Sequence, residues 1–177
     1  TVRGWGDNGI DFGTFAVSGA VIQSVKAIAN AHEGIDGGDA CRITGCTALL
    51  NGRNGIVGGV ASLIRDCSAV SNGAGFASIS QGFLVGDGSV IAGCLAQSNT
   101  SLVSGGVGDI GMGFRAGARC TIRECNADRN RGHGFRVGSD CTVTGCLSVE
   151  NGSGSTVSAG IHATGSGNVI DGNSVNG

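Results

Sequence analysis

The stretch ITGCTALLNGRNGIVGGVASLIRDCSAVSN, residues 43–72, decides the fold. It holds two copies of one pattern: Ile43, Cys46, Ala48 and Asn51 return as Ile64, Cys67, Ala69 and Asn72, and the pair Gly55-Ile56 stands between them. Outward from here the spacing holds along the chain. The asparagine position reads Asn30, Asn51, Asn72, Asn99, Asn130 and Asn151. Five residues before each stand Val25, Cys46, Cys67, Cys94, Cys125 and Cys146, and three before each stand Ala27, Ala48, Ala69, Ala96, Ala127 and Ser148. Three residues before the cysteine position comes Ile22, Ile43, Ile64, Ile91, Ile122, Val143 and Ile170 in turn. Fixed spacing inside a repeat with variable spacing between repeats marks a solenoid.

Each copy carries three short stretches with apolar residues at alternate positions: Gly-(Ile/Phe)-x, x-Ile-x and Cys-x-Ala. Period two means strands with one face inward, and no stretch shows the 3.6-residue period of a helix. The expected fold is all-β: a single-stranded parallel β-helix of seven coils, the last incomplete, in one domain over residues 1–177. At a rise of ~4.8 Å per coil the rod is roughly 34 Å long. Stacking puts isoleucine on isoleucine and cysteine on cysteine. The asparagine sits at a sharp corner, where amides can bond backbone and one another. Glycine is expected to supply backbone angles that other residues do not reach.

Composition agrees. The chain has 177 residues with 36 glycines and no proline, 40 % apolar and 14 % charged residues, and a net charge of −2. Collagen and disorder are excluded, and nothing drives the chain as a whole toward nucleic acid or an anionic membrane. No apolar run approaches the ~18 residues of a membrane span. Six of the eleven basic residues fall between Arg115 and Arg136, interleaved with Glu124 and Asp128. Aromatic platforms for base stacking are few there, so nucleic acid is not an expected partner. The cysteine pairs Cys41–Cys46, Cys120–Cys125 and Cys141–Cys146 are C-x4-C, not the C-x2-C of zinc sites. Each cysteine is read as a small buried hydrophobe; disulfides between neighbouring coils are the other reading.

The Gly-x-Gly-(Ile/Phe) turns, the x-Ile-x-Gly-Cys strand and the Cys-x-Ala-x-x-Asn corner resemble the right-handed parallel β-helix repeats of the pectate-lyase-like superfold. They are most similar to Gly/Cys-rich secreted bacterial β-helix proteins, and the opening Thr1–Gly6 resembles a segment that follows an amino-terminal cap in those proteins. The resemblance implies an extracellular or cell-surface location. Its members include polysaccharide lyases, glycoside hydrolases, phage tailspikes and adhesins. The chain starts at Thr1, Trp5 takes the asparagine position and Gly177 precedes the next one. Two readings stay open: a segment of a longer β-helix, or a subunit stacking on other copies through open coil ends.

Function is less legible. Extra residues follow Asn72, Asn99 and Asn151, in the segments Gly73–Gln81, Thr100–Met112 and Gly152–Ala159. All three leave the same corner, and insertions on one edge of a solenoid often make its binding face. Beside that edge the outward column reads Asp11, Asp36, Val57, Leu84, Arg115, Arg136 and His162. Arg115, Arg136 and His162 are the candidate ligand-binding residues, suited to a polysaccharide carboxylate. Asp11, Asp36 and Asp39 are the candidate catalytic acids, with Glu33 and His32 nearby. The acids and arginines lie three coils apart, ~14 Å at the coil rise, too far for one lyase site to use both easily. His32, His133 and His162 have no spacing for a metal triad. No cofactor or metal is expected; calcium near Asp87 or Asp109 rests only on loop composition. The leading expectation is a structural or binding scaffold, self-associating or glycan-binding, and the alternative is a polysaccharide lyase or glycoside hydrolase.

Overall fold

A computed structural model describes residues 1–13, 17–75, 79–102, 110–153 and 157–177. The alternating stretches become strands of two to five residues, joined by turns and stacked coil upon coil. Sheet 1 comprises Ile10–Asp11, Ile35–Asp36, Ile56–Gly58, Gln81–Val85, Met112–Ala116, Phe135–Val137 and Ile161–Ala163. Sheet 2 comprises Val21–Gln23, Arg42–Thr44, Leu63–Arg65, Val90–Ala92, Thr121–Arg123, Thr142–Thr144 and Val169–Asp171. Sheet 3 comprises Val2–Arg3, Lys26–Ile28, Thr47–Leu49, Ser68–Val70, Leu95–Gln97, Asn126–Asp128, Leu147–Val149 and Ser174–Asn176. Every pairing is parallel and joins equivalent residues of successive coils, as with Ile43 on Ile64 and Ala48 on Ala69. The seventh coil, expected to be incomplete, forms all three strands, with Asn173 in the cysteine position.

The core is a set of one-residue columns. Ile35, Ile56, Phe83, Phe114 and Phe135 of sheet 1, Ile43, Ile64, Ile91 and Ile122 of sheet 2, and Ala48, Ala69, Ala96 and Ala127 of sheet 3 are fully buried. The three phenyl rings stack at 4.8 Å, within 6° of parallel.

All three corners use one device. A residue in the left-handed region turns the chain, and the next residue offers a side-chain acceptor to the N–H of its counterpart in the preceding coil. Between sheets 3 and 1 the left-handed residues are Ala29, Leu50, Ser71, Ser98, Arg129 and Glu150, each just before a ladder asparagine. Asn30 N–H then donates to Asn51 Oδ1 at 3.0 Å, and Asn51 N–H to Asn72 Oδ1 at 3.0 Å. Between sheets 2 and 3, Cys46 N–H donates to Cys67 Sγ at 3.4 Å and Cys146 N–H to Asn173 Oδ1 at 2.8 Å. Between sheets 1 and 2, Ser62 N–H donates to Ser89 Oγ at 3.0 Å and Cys141 N–H to Asn168 Oδ1 at 2.8 Å. A buried corner N–H needs a partner. This accounts for the exchange of cysteine, serine and asparagine at one position. The cysteines are therefore acceptors as well as small core residues, and all eight are free thiols.

Glycine meets the expectation in part, since Gly45, Gly93 and Gly145 supply left-handed corner angles. Most left-handed corner residues are not glycine, whereas the glycine before each inward Ile or Phe is held by space. A Cβ on Gly113 would lie 2.6 Å from the Gly134 carbonyl oxygen and 2.9 Å from Asn130 Nδ2. The next coil's backbone and its ladder amide occupy the place a side chain would take.

Candidate functional site

Strand alternation turns the residue after each inward Ile or Phe outward, and register stacks these residues. Asp11 lies on Asp36, Asp36 on Val57, Leu84 on Arg115, Arg115 on Arg136 and Arg136 on His162. The column anticipated from spacing exists, with acids in the first two coils and the basic residues in the last three. All seven side chains are partly buried rather than fully solvated.

The basic end borders a cleft of about 310 Å³ lined by Leu84, Arg115, Arg136 and Thr164. At the opposite end of the sheet 1 strands, two further residues tie described ends of the inserted segments down. Arg131 Nη1 donates to the carbonyl of Ser101 in the second insertion. His133 is buried, and its Nδ1 accepts the N–H of Ala159, the last residue of the third insertion, at 2.8 Å. That bond puts the His133 proton on Nε2, which lies 3.0 Å from His162 Nδ1. His133 Nε2–H donates to His162 Nδ1, leaving Nε2 as the proton-bearing nitrogen of His162. In this arrangement His162 is an N–H donor at the end of a relay, and the arginines carry the positive charge.

The acidic end is looser than the sequence suggests. Asp11 and Asp36 are adjacent in the column, and Asp36 and Asp39 line a cleft of about 350 Å³ with Val17 and Val57. Asp39 Oδ1, however, accepts the Val60 N–H at 2.9 Å, as Asp87 Oδ1 accepts that of Ala118. Both are turn caps. His32 faces Asp7 at 2.6 Å, and Glu33 accepts from Asn54 Nδ2 at 3.3 Å. Burial pushes the Asp36 carboxyl above its ordinary 3.8; Asp11 and then Asp39 add to the rise, while a hydrogen bond from Gly38 N–H opposes it.

A carboxyl raised in the folded state holds its proton more tightly there than in the unfolded chain, so ionised Asp36 opposes folding. The penalty is complete above the raised value and fades as pH falls toward 3.8. Asp36→Asn keeps an oxygen for Gly38 N–H. It is expected to stabilise the fold at pH 7 by less than about 1 kcal/mol, seen as a small rise in thermal midpoint, because the site is only half buried. The gain should shrink at pH 4; melts at both pH values check it.

The clustered arginines do not form one patch. Arg119 pairs with Asp87 at 3.4 Å, Arg129 with Asp128 at 2.8 Å, and Arg123 belongs to sheet 2. Among the described residues no three of His, Cys, Asp and Glu converge as a metal cage. Asp109 and the middle parts of all three insertions lie outside the described residues. Gln81 and Met112, expected at the ends of insertions, instead begin five-residue strands and are buried.

The model of the right handed beta helix region matches residues 34–177. The chain belongs to the right-handed β-helix family. The crystal structure of pectate lyase Pel9A is similar in fold, with a TM-score of 0.63 and 20 % identity, covering 97 % of this chain and 50 % of the lyase. The chain thus spans about half the length of that enzyme. A plasmid-mediated fluoroquinolone resistance protein, QnrB1, matches at a TM-score of 0.29 and 11 % identity over 96 % of this chain and 91 % of its own, which is too slight to bear on the argument. No curated protein matches.

Proposed function

We propose that this protein is an extracellular or cell-surface β-helix scaffold that binds an anionic polysaccharide along the basic end of sheet 1 without cleaving it. The observation that carries this reading is the in-register run of Arg115, Arg136 and His162 beside the 310 Å³ cleft. Guanidinium groups on successive rungs, ~4.8 Å apart, offer paired donors to carboxylates repeated along a chain. His162 adds an N–H on the next rung.

Calorimetric titration with pectate or alginate oligosaccharides, against a neutral glucan, tests it. Arg115→Ala and Arg136→Ala are each expected to weaken binding about tenfold, the loss of one charge-assisted contact. Affinity should also fall with added salt. Equal binding by the double variant, or no preference over the neutral glucan, would sink the reading.

A second reading rests on Asp36, a partly buried carboxyl raised by its surroundings and next to Asp11. Raised carboxyls serve as general acids. Depolymerisation of uronate polymers by the wild type, abolished by Asp36→Asn, would favour cleavage over binding.

A further inference from the structure

The cysteines between sheets 2 and 3 form a column unrelated to sheet 1. Cys46, Cys67, Cys94, Cys125 and Cys146 hold one position in five successive coils, bounded by Val25 and Asn173. All are free thiols, none more than 3 % exposed. Sulfurs accept from the preceding coil, as Cys125 Sγ does from Cys94 N–H at 3.5 Å. Thiol hydrogens face carbonyls two residues earlier, those of Thr44, Arg65, Ala92, Arg123 and Thr144. The column floors a groove of about 480 Å³ that reaches Cys46, Cys67 and Cys94, with Asp66 and Glu124 exposed on its rim.

We propose that this column binds soft, two-coordinate d10 cations of the Cu⁺ and Ag⁺ class, one in each gap between successive thiols. Zinc and calcium need four or more ligands around a point, and no such cage exists among the described residues. A linear bridge needs only two sulfurs. With a metal–sulfur length of ~2.3 Å, as for zinc, they stand ~4.6 Å apart. The strand spacing of ~4.8 Å holds successive rungs at that separation without movement of the backbone. Thiolate softness selects these ions over hard ones.

Charge balances as well. Five thiols binding four monovalent cations lose five protons and leave one net negative charge on the column. Five bare thiolates would be far costlier in the core. The rim carboxylates draw cations into the groove, through which the protons leave.

Ag⁺ titration of the reduced, folded protein, followed by desalting and metal analysis, tests this. The wild type is expected to retain four Ag⁺ in this column and one between Cys120 and Cys141, and to melt at higher temperature when loaded. Cys67→Ser with Cys125→Ser leaves no two neighbouring thiols in the column, and retention should fall by four. Cys41→Ser, whose column already contains Ser62 and Ser89, should keep the full number. X-ray absorption on the loaded wild type should show two sulfur neighbours, a readout independent of how the variants fold. Undiminished retention by the double variant, no retention by the wild type, loss of its native circular dichroism on loading, or three or more ligands would each overturn the proposal.

Discussion

Asn99→Ala is expected to destabilise the protein by about 4 kcal/mol, far more than an average substitution. The Asn99 amide is saturated. Its Nδ2 donates to the Ala69 carbonyl at 3.0 Å and to Asn130 Oδ1 at 2.9 Å. Its Oδ1 accepts Asn72 N–H and Asn72 Nδ2–H, both at 3.1 Å. Asn99 and Asn72 are at most 1 % exposed. Alanine orphans two donors of Asn72 and the Ala69 oxygen, and each orphaned buried group costs ~1–3 kcal/mol. Partial relaxation brings the sum to the figure given. Left-handed Ser98 and Ser71 add to the loss, since non-glycine residues in that region are strained by ~1–2 kcal/mol and the ladder is what holds them there. Asn151 makes similar bonds in the last complete rung of the ladder but is only partly buried. Water can replace its lost partners, so Asn151→Ala should cost about half as much. Urea denaturation of both variants decides the matter; equal losses would mean that burial of the amide is not what gives the ladder its strength.

The ladder is also where the sequence was most and least legible. Its spacing defines three strands per coil and their register, because stacked coils force equivalent residues into columns. Leu84 on Arg115 and Arg136 on His162 follow from counting alone. The chemistry of the corners did not follow. Cys46 looks like a small hydrophobe beside Ile43 and Ala48, yet its sulfur accepts the Val25 N–H, a requirement visible only once the backbone turns inward. The exchange of Cys41 for Ser62 and of Cys146 for Asn173 was the available signal: acceptors replace acceptors. Gly113 looks like a residue chosen for its angles, but the next coil's carbonyl demands its absent side chain.

The candidate site divides in the same way. Arg115, Arg136 and His162 are candidates because they belong to a column. His133 was set aside for lack of a metal triad, and Arg131 was one of six clustered arginines. Their roles depend on inserted segments whose path the repeat does not dictate. A trace existed for His133. It precedes Gly134 as Asn8 precedes Gly9 and Asn54 precedes Gly55, and all three side chains accept an N–H from the following coil. The pairing with His162 needed the register of sheet 1 together with the place where the third insertion returns.

Phe114→Ala is expected to cost about 4–8 kcal/mol and to loosen the proposed binding face. Phe114 is fully buried, its ring 4.8 Å from both Phe83 and Phe135. Removing a buried phenyl costs ~3–5 kcal/mol through lost transfer energy and the cavity left behind. Two aromatic contacts are lost as well, each worth ~0.5–1.5 kcal/mol. Little can collapse into the void, because strand spacing rather than ring attraction sets the 4.8 Å interval. Phe114→Ile should cost much less, since Ile35, Ile56 and Ile161 occupy the same column. The next residue, Arg115, points outward from the same strand and stacks on Arg136. A cavity beneath that rung frees the backbone that aligns the two guanidiniums. Phe114→Ala should therefore bind uronate oligosaccharides more weakly than Phe114→Ile at a temperature where circular dichroism shows both folded. Equal affinities would mean that the arginines recognise the ligand through their own flexibility and that the phenylalanine stack serves stability alone.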